Sequence, residues 1–324
     1  MADSRFMMNV KGIGGAFIPR FLFQNKLKNI FFDILTLNVK NIEYIKTRVN
    51  YYNKLNFDRA KHIISSQNAE KIGKFPFKKT SLSYDAYAIS KYFNDEFLWI
   101  KAFGDISYIL SEASICKDRP ICDGNYNNII MKLDKNRHFV FLKDETEFED
   151  KKNIAVYRGA VYQNNRKEFF RKNFFRKKCD IGHTGKKLEE WKKHFLSKQD
   201  QLQYKFLISL EGNTFASNLI WSLSSNSLVL APKMRYETWF MEGRLIPNEH
   251  FALIDDDYEN VEALIDYYLA NPHRAKEIIQ NAHAYIEQFL DEKIEFYIGI
   301  LVLAKYFYYS KQLDLSKDII DLFG

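Results

Sequence analysis

Two short runs bring together residue types suited to holding a phosphate. The first is Tyr157-Arg158-Gly159, followed by Asn164-Asn165-Arg166. An arginine at a strand end offers a planar fork of donors that matches phosphate oxygens. A glycine beside it lets the backbone come close to a ligand. Arg166 falls where a following helix would begin, and exposed amides there favour an anion. The same spacing also suits a solvated turn with two surface arginines. The second run is Ser209-Leu210-Glu211-Gly212-Asn213-Thr214, continuing into Ala216-Ser217-Asn218. A strand, a glycine turn and a helix opening on small polar residues can seat a phosphate at the helix N-terminus. An ordinary turn capped by Thr214 or Asn213 fits equally well, so spacing alone leaves both readings open.

Other candidates favour structural roles. Asp255-Asp256-Asp257 stands just before a strongly helical run, where it would cap the helix and complement its dipole rather than hold a metal. The histidines show no tight ligand spacing; His138 and His250 lie beside apolar runs and are expected to make structural hydrogen bonds. Trp239 and Phe240 could stack on a base or sugar, or pack into a core.

The elements that must position these residues follow from the apolar pattern. Residues 20 to 72 read as helical, with Ile30, Ile34, Leu37 and Ile42 on one face. Gly12, Gly14 and Gly15 have no apolar strand before them and read as a turn rather than a phosphate loop. Phe97 to Ile109 is strand-compatible, broken at Gly104-Asp105, and Ile129 to Leu133 is a second apolar run. The charged stretch Lys143 to Asn153 reads as a linker. Beyond it, strands are expected at Ile154–Tyr157, Phe206–Leu210, Ser227–Leu230 and His250–Ile254. Helices are expected at Asn165–Phe175, Phe215–Leu223, Tyr236–Met241 and Val261–Leu290, the last broken near Asn271-Pro272. Such alternation predicts an α/β fold with parallel strands and ligands at the strands' C-terminal ends. The division expected is 1–150, 151–290, and a C-terminal segment 291–324 whose helix packs back on the body.

Bulk properties narrow the function. The 324 residues, 46% hydrophobic and 27% charged, describe a folded protein of two domains. The formal charge of +7 is dispersed and no nucleic-acid module appears, which argues against nucleic acid and suits an anionic lipid surface or a nucleotide diphosphate. Three cysteines without a CxxC pair suggest a reducing compartment. The N-terminus has no signal-peptide pattern, and the longest apolar stretch, Phe296 to Tyr309, contains Lys305 and is too short to span a bilayer. The expected location is the cytoplasm, with peripheral contact to the inner face of its membrane.

The run from Tyr204 to Ile254, with SLEGNTFASN and YETWFMEG inside it, resembles the signature region of glycosyltransferase family 90. The upstream YRGAVYQNNR is similar to that family's aromatic-Arg-Gly segment, while ICKDRPI and KLDKNRHFVFLKD resemble its bacterial branch. The resemblance implies a GT-B-like fold, with two Rossmann-type domains facing a central cleft. It also implies transfer of a sugar from a nucleotide donor, UDP being favoured, to a hydroxyl, without a metal or other cofactor. For the bacterial branch the acceptor implied is a lipopolysaccharide or lipooligosaccharide core. By position, Arg158, Gly159 and Arg166, with Gly212, Asn213, Ser217 and Asn218, fall on the donor phosphate side. Gly182, His183 and Thr184 fall on the nucleoside pocket. Inversion by direct displacement needs a base for the acceptor proton, and the resemblance assigns that role to Asp105, with Glu211 and Asp118 as substitutes. Animal members carry an arginine where this chain has Asn218, which shifts diphosphate neutralisation toward Arg158, Arg166, Lys117 or Arg119. That departure also leaves a second reading, a non-catalytic carbohydrate- or nucleotide-sugar-binding protein on the same scaffold.

Overall fold

A computed structural model describes residues 19–74, 80–186 and 189–324. Gly12, Gly14 and Gly15 lie outside the described residues. The longer helices are α1 (Leu27–Leu35), α2 (Val39–Tyr52), α3 (Ser81–Ser90), α4 (Asn164–Asn173), α5 (Val261–Ala270), α6 (Pro272–Glu287) and α7 (Glu292–Tyr309). The strands are β1 (Glu70–Lys71), β2 (Leu98–Trp99), β3 (Lys101–Ala102), β4 (Ser114–Cys116), β5 (Asp118–Pro120), β6 (Asn128–Ile130), β7 (Lys152–Gly159), β8 (Cys179–His183), β9 (Tyr204–Ile208), β10 (Leu228–Ala231), β11 (Tyr236–Thr238) and β12 (Ala252–Leu253). The chain forms two compact units: residues up to Asn136 together with Leu290–Gly324, and Arg137–Phe289.

In the first unit, β3, β4 and β6 form a parallel sheet in that order, and β1 pairs antiparallel with β2. Helix α7 is its centre. Asp291 caps the helix through the amides of Lys293 and Ile294, and Ile298, Ile300, Leu301, Val302 and Leu303 are all fully buried. A helix apolar on every side belongs inside a core, and α7 lies against α2 and α3. Two charges are carried inward with it. Glu295 accepts from buried Arg48 of α2 at 2.8 Å and from Lys132 at 2.6 Å, while the Arg48 Nε donates to the Tyr52 hydroxyl at 2.7 Å. Lys305 is also buried and donates to the Phe323 carbonyl at 3.0 Å. Among the described residues no helix is long and apolar enough to cross a membrane.

The second unit is an α/β sandwich on a five-stranded parallel sheet ordered β12-β10-β9-β7-β8. One face of the sheet buries Tyr157, Ile181, Phe206 and Leu230 with Phe169 and Phe170 of α4 and Ile265 of α5. The other buries Val156, Leu207 and Tyr204 with Trp221. Residues buried on both faces explain the near-continuous apolar strands read in the sequence. Pro272 opens α6 at its first position, where the missing N–H has no intrahelical partner to lose.

Several elements differ from the pattern-based reading. The helix expected from Phe215 begins only at Leu219, and 213–218 is a turn. Tyr236–Met241 is not a helix: Tyr236–Thr238 is extended, and Met241 turns the chain with φ 57° into a short 3-10 segment, Glu242–Arg244. Tyr, Thr and Trp favour extended backbone. Strand character after Phe97 ends at Ala102. The stretch Lys143 to Asn153 is not a free connector. Phe148 joins the second unit's core, and the buried Lys151–Asp144 pair, 2.7 Å apart, holds the segment while Asp144 accepts from the Asn226 amide.

Burial lowers the Lys305 ammonium to about 8 from the ordinary lysine value of 10.5. The unfolded chain therefore binds the extra proton between about pH 8 and 10.5, and folding stability gained from Lys305 rises with pH across that window. Denaturant titrations of wild type and Lys305→Met should show wild type gaining about 2–3 kcal/mol on the variant between pH 7.5 and 10.5; parallel pH profiles would refute this.

Candidate functional site

The order β12-β10-β9-β7-β8 reverses direction between β7 and β9. The crossovers leaving these two strands depart in opposite directions along the sheet; in open α/β sheets such a reversal is where a crevice forms at the strands' C-terminal ends and where ligands bind. Both runs singled out in the sequence end there. Residues Ala160–Gln163 follow β7, which ends at Gly159, and Ser209–Asn218 follow β9.

Arg166 joins them. From the first turn of α4 its guanidinium donates to the Ala160 carbonyl at 2.8 Å, the Leu210 carbonyl at 2.8 Å and the Glu211 carbonyl at 3.0 Å. Asn165 adds a bond to the Glu211 carbonyl at 3.0 Å, and Gln163 donates to Asn213 Oδ1 at 3.0 Å. A Cβ on Gly212 would sit 3.2 Å from the Arg166 guanidinium, so the loop passes as closely as it does because residue 212 lacks one. Arg166 thus binds main chain on both sides of the crevice rather than projecting into it.

Arg158 has a different fate from the one its spacing suggested. It points to the face of the sheet that carries Val156, with its side chain 1% exposed. Its guanidinium takes Asp180 of β8 at 2.9 and 3.0 Å, the Asp180 carbonyl at 2.7 Å and the His194 carbonyl at 3.0 Å. Asp180 also accepts from Lys193 at 2.9 Å and from the Tyr204 hydroxyl at 2.9 Å. Although burial acts to raise the Asp180 carboxyl, bonds from Lys193, Tyr204 and Arg158 bring it below the usual carboxylate value. Every nitrogen of Arg158 is engaged within the protein, which leaves it a latch across three strands rather than a phosphate ligand. Gly159 is required locally as well, since a Cβ there would lie 2.6 Å from the Tyr157 hydroxyl.

At the end of β8, the fully buried His183 accepts the Val161 amide on Nδ1 at 2.9 Å. Its proton therefore sits on Nε2, which is buried without a hydrogen-bond partner among the described residues. Burial, with Lys192 adding to it, lowers the ring below the usual histidine value. Gln163 Oε1 is a second buried polar atom without a partner there. One unpaired donor and one unpaired acceptor at the crevice of an α/β sheet are groups a ligand would satisfy. The Thr184 amide bonds the Gly159 carbonyl at 3.1 Å, so the ends of β7 and β8 are tied. Gly182 lies within β8.

The remaining β9 residues are accounted for by the loop itself. Asn218 donates to the Ile208 carbonyl at 2.9 Å and accepts from Ser209 at 3.1 Å, and Ser217 is exposed. Glu211 is buried; it accepts the Arg235 and Tyr236 amides at 2.8 and 3.0 Å and the Arg235 side chain at 2.9 Å. Its carboxyl is raised by burial but surrounded by donors, an arrangement that fixes the chain entering β11 rather than exposing a base. Asp255–Asp257 form a turn, and Asn260, not an aspartate, precedes α5. No group of three or more His, Cys, Asp or Glu among the described residues could hold a metal ion. Trp239 and Phe240 are fully buried, Phe240 against Phe289 and Tyr285.

The candidates in the first unit form their own cluster. Asp105 is 46% exposed and bonds Lys117 at 2.8 Å; Lys117 also pairs with Asp118. Asp118 is fully buried and accepts the Ile106 amide at 2.9 Å, which fixes the turn bearing Asp105. Arg119 is buried and donates to the Tyr51, Tyr52 and Asn128 carbonyls, a structural role rather than a phosphate contact. Sequence reading missed Asp180, Gln163 and Arg235. An aspartate inside the apolar run of β8 was the available sign, because a charge in such a strand requires a partner.

Arg158→Ala should therefore destabilise the second unit by about 2–3 kcal/mol, since it strips a half-buried carboxylate of its arginine. Arg158→Lys should not restore the loss, because an ammonium cannot reach the same set of acceptors. Chemical denaturation checks both; a normal midpoint with weakened nucleotide binding would return Arg158 to the ligand.

Comparison with known proteins identifies the family of the chain. The profile of glycosyl transferase family 90 matches residues 126–316. The chain is also 38% identical, over 266 residues, to the O-glucosyltransferase LpsA of Dichelobacter nodosus, an alignment covering 81% of this chain and 82% of that protein. The matched segment contains β7 to β12 and so the whole crevice at the strand reversal.

Proposed function

The chain belongs to glycosyltransferase family 90, and from that premise we propose that it transfers a sugar from a UDP-activated donor to a hydroxyl of a lipopolysaccharide or lipooligosaccharide core. The observation that carries the reading is the convergence of both signature loops on the strand reversal, held together by Arg166. In this reading the second unit is the donor half and the first the acceptor-side half of a GT-B enzyme. His183 Nε2 and Gln163 Oε1 are directed to the nucleoside, in the segment that also holds Gly182 and Thr184. The relative's name, an O-glucosyltransferase, supports glucose and an oxygen acceptor. The bacterial character of the upstream motifs supports the core acceptor.

The chemistry is a single displacement. The acceptor oxygen attacks the anomeric carbon, the bond to the diphosphate breaks with its electron pair leaving on phosphate oxygen, and the hydroxyl proton passes to a base. Asp105 is the proposed base: it is open to solvent, and Lys117 holds it in place. Charge on the departing diphosphate must be met by oriented dipoles. Because Arg158 and Arg166 donate to protein groups, this falls to main-chain amides of the 159–163 and 211–217 loops, which those arginines position. No metal is required in this scheme, and the protein would work at the inner face of the cytoplasmic membrane.

UDP should raise the melting temperature by on the order of 5–10 °C at a hundredfold excess over its Kd, with ADP and GDP giving little. No response to any nucleotide would overturn the donor reading. Asp105→Asn should keep the UDP shift and lose transfer by roughly 100-fold or more; turnover retained in that variant moves the base elsewhere. Transfer that survives EDTA supports the metal-free scheme, and transfer abolished by EDTA and restored by a divalent ion rejects it.

A further inference from the structure

The first unit carries an apolar groove of about 630 Å³ unrelated to either candidate cluster. Its walls are Leu27, Phe31, Phe32 and Leu35 of α1, then Tyr92 and Phe97, then Leu313 and Leu315 after α7. Helix α1 buries Ile30 and Ile34, so its opposite side must face outward, and there the sequence places apolar residues where polar ones would be expected. Phe32 is 68% exposed at the groove's edge, and Phe21, Leu22 and Val39 nearby in the chain are exposed at 58%, 46% and 77%. Exposed apolar side chains in one segment beside an apolar groove mark a surface made for something apolar.

The charges identify what that is. Lys28 lines the groove, and Lys26 and Lys40 are exposed in the same segment. Between residues 20 and 40 Asp33 is the single acid. Lys91 sits 3.8 Å over the Phe23 ring, and its ammonium is lowered by burial and by the neighbouring charge of Lys26. Among the described residues no carboxylate pairs with Lys26, Lys28 or Lys91, whereas Arg20 in the same stretch is bound to Asp95. Asp314 is the acid in the groove lining, on the wall opposite α1. Cations unpaired beside exposed aromatics are the combination that binds an anionic bilayer surface, apolar groups entering the acyl region while ammonium groups meet the headgroups.

We propose that α1 and this groove form a docking site for the surface of an anionic membrane, with an acyl chain of one lipid entering between Phe31, Phe32 and Leu315. The site gives the peripheral membrane association proposed above a location, and it does not rest on the donor chemistry. Dimerisation through α1 is the competing use of such a face.

The test is co-sedimentation of the full chain with vesicles of equal parts phosphatidylglycerol and phosphatidylcholine, against vesicles of phosphatidylcholine alone. Wild type should bind the anionic vesicles and leave the neutral ones. Lys28→Gln should weaken partitioning about fivefold and lose most of its effect in high salt. Phe32→Ser should weaken it roughly tenfold, an effect that high salt does not remove. Both side chains are exposed, so unchanged melting temperatures and an unchanged UDP shift would show that fold and donor site are intact. Absence of binding by wild type, equal binding by both variants, or a Phe32→Ser change in oligomeric state without loss of vesicle binding would each overturn the proposal. Vesicle binding without any UDP shift would leave it standing while removing the catalytic reading.

Discussion

Where the strand order reverses between β7 and β9, the carbonyls of Ala160, Leu210 and Glu211 leave the ladder and have no sheet partner. A buried carbonyl must find a donor, and the guanidinium of Arg166 supplies all three. The shape of the crevice follows from this one requirement. Gly212 approaches closely because residue 212 has no Cβ to meet Arg166, Asn165 and Gln163 are aimed by the same helical turn, and His183 Nε2 and Gln163 Oε1 are left buried without a partner among the described residues. Two loops far apart in sequence are thereby made one surface, which is what a ligand bridging them needs.

The two arginines show what sequence could and could not disclose. Strand–helix alternation made the parallel α/β sheet legible, because the central strands are apolar runs and α4 and α5 each bury apolar residues against the sheet. The location of the crevice was legible too, since glycines directly after strands mark where chain ends turn. What the arginines touch was not. Arg158 depends on Asp180 and the His194 carbonyl, contacts set by the pairing of β7 with β8, and no spacing rule foretells them. The segment holding Asp144 and Lys151 misled for the same reason: its charges read as solvated until Lys151 and Asn226 are seen around Asp144. Local propensity also failed at Tyr236–Met241, where an apolar pattern compatible with a helix turned out to be extended chain ending in a left-handed residue.

Charge burial follows one rule in both units. Arg48 with Glu295 and Lys132, Arg158 with Asp180, and Lys151 with Asp144 are each enclosed and each paired. Such pairs contribute little net stability compared with apolar packing, yet losing one member is costly, so they fix which elements meet. Lys305 is held differently, by a carbonyl and an amide oxygen. It lies in α7, where most of its neighbours along the helix are buried and apolar.

That helix also sets an order of assembly. The first unit is discontinuous: α7 and the residues after it complete a core begun by α2 and α3, with the whole second unit inserted between. On a ribosome the early helices emerge first but lack their central partner until more than half the chain has followed. At about 5–20 residues per second, they wait for many seconds with Val49, Tyr52 and Ala86 uncovered. The contiguous second unit can close before them. A nascent chain of this topology presents the apolar surface of α2 and α3 until α7 is made, which makes that segment, rather than the last-made part of the unit, the one most in need of a chaperone.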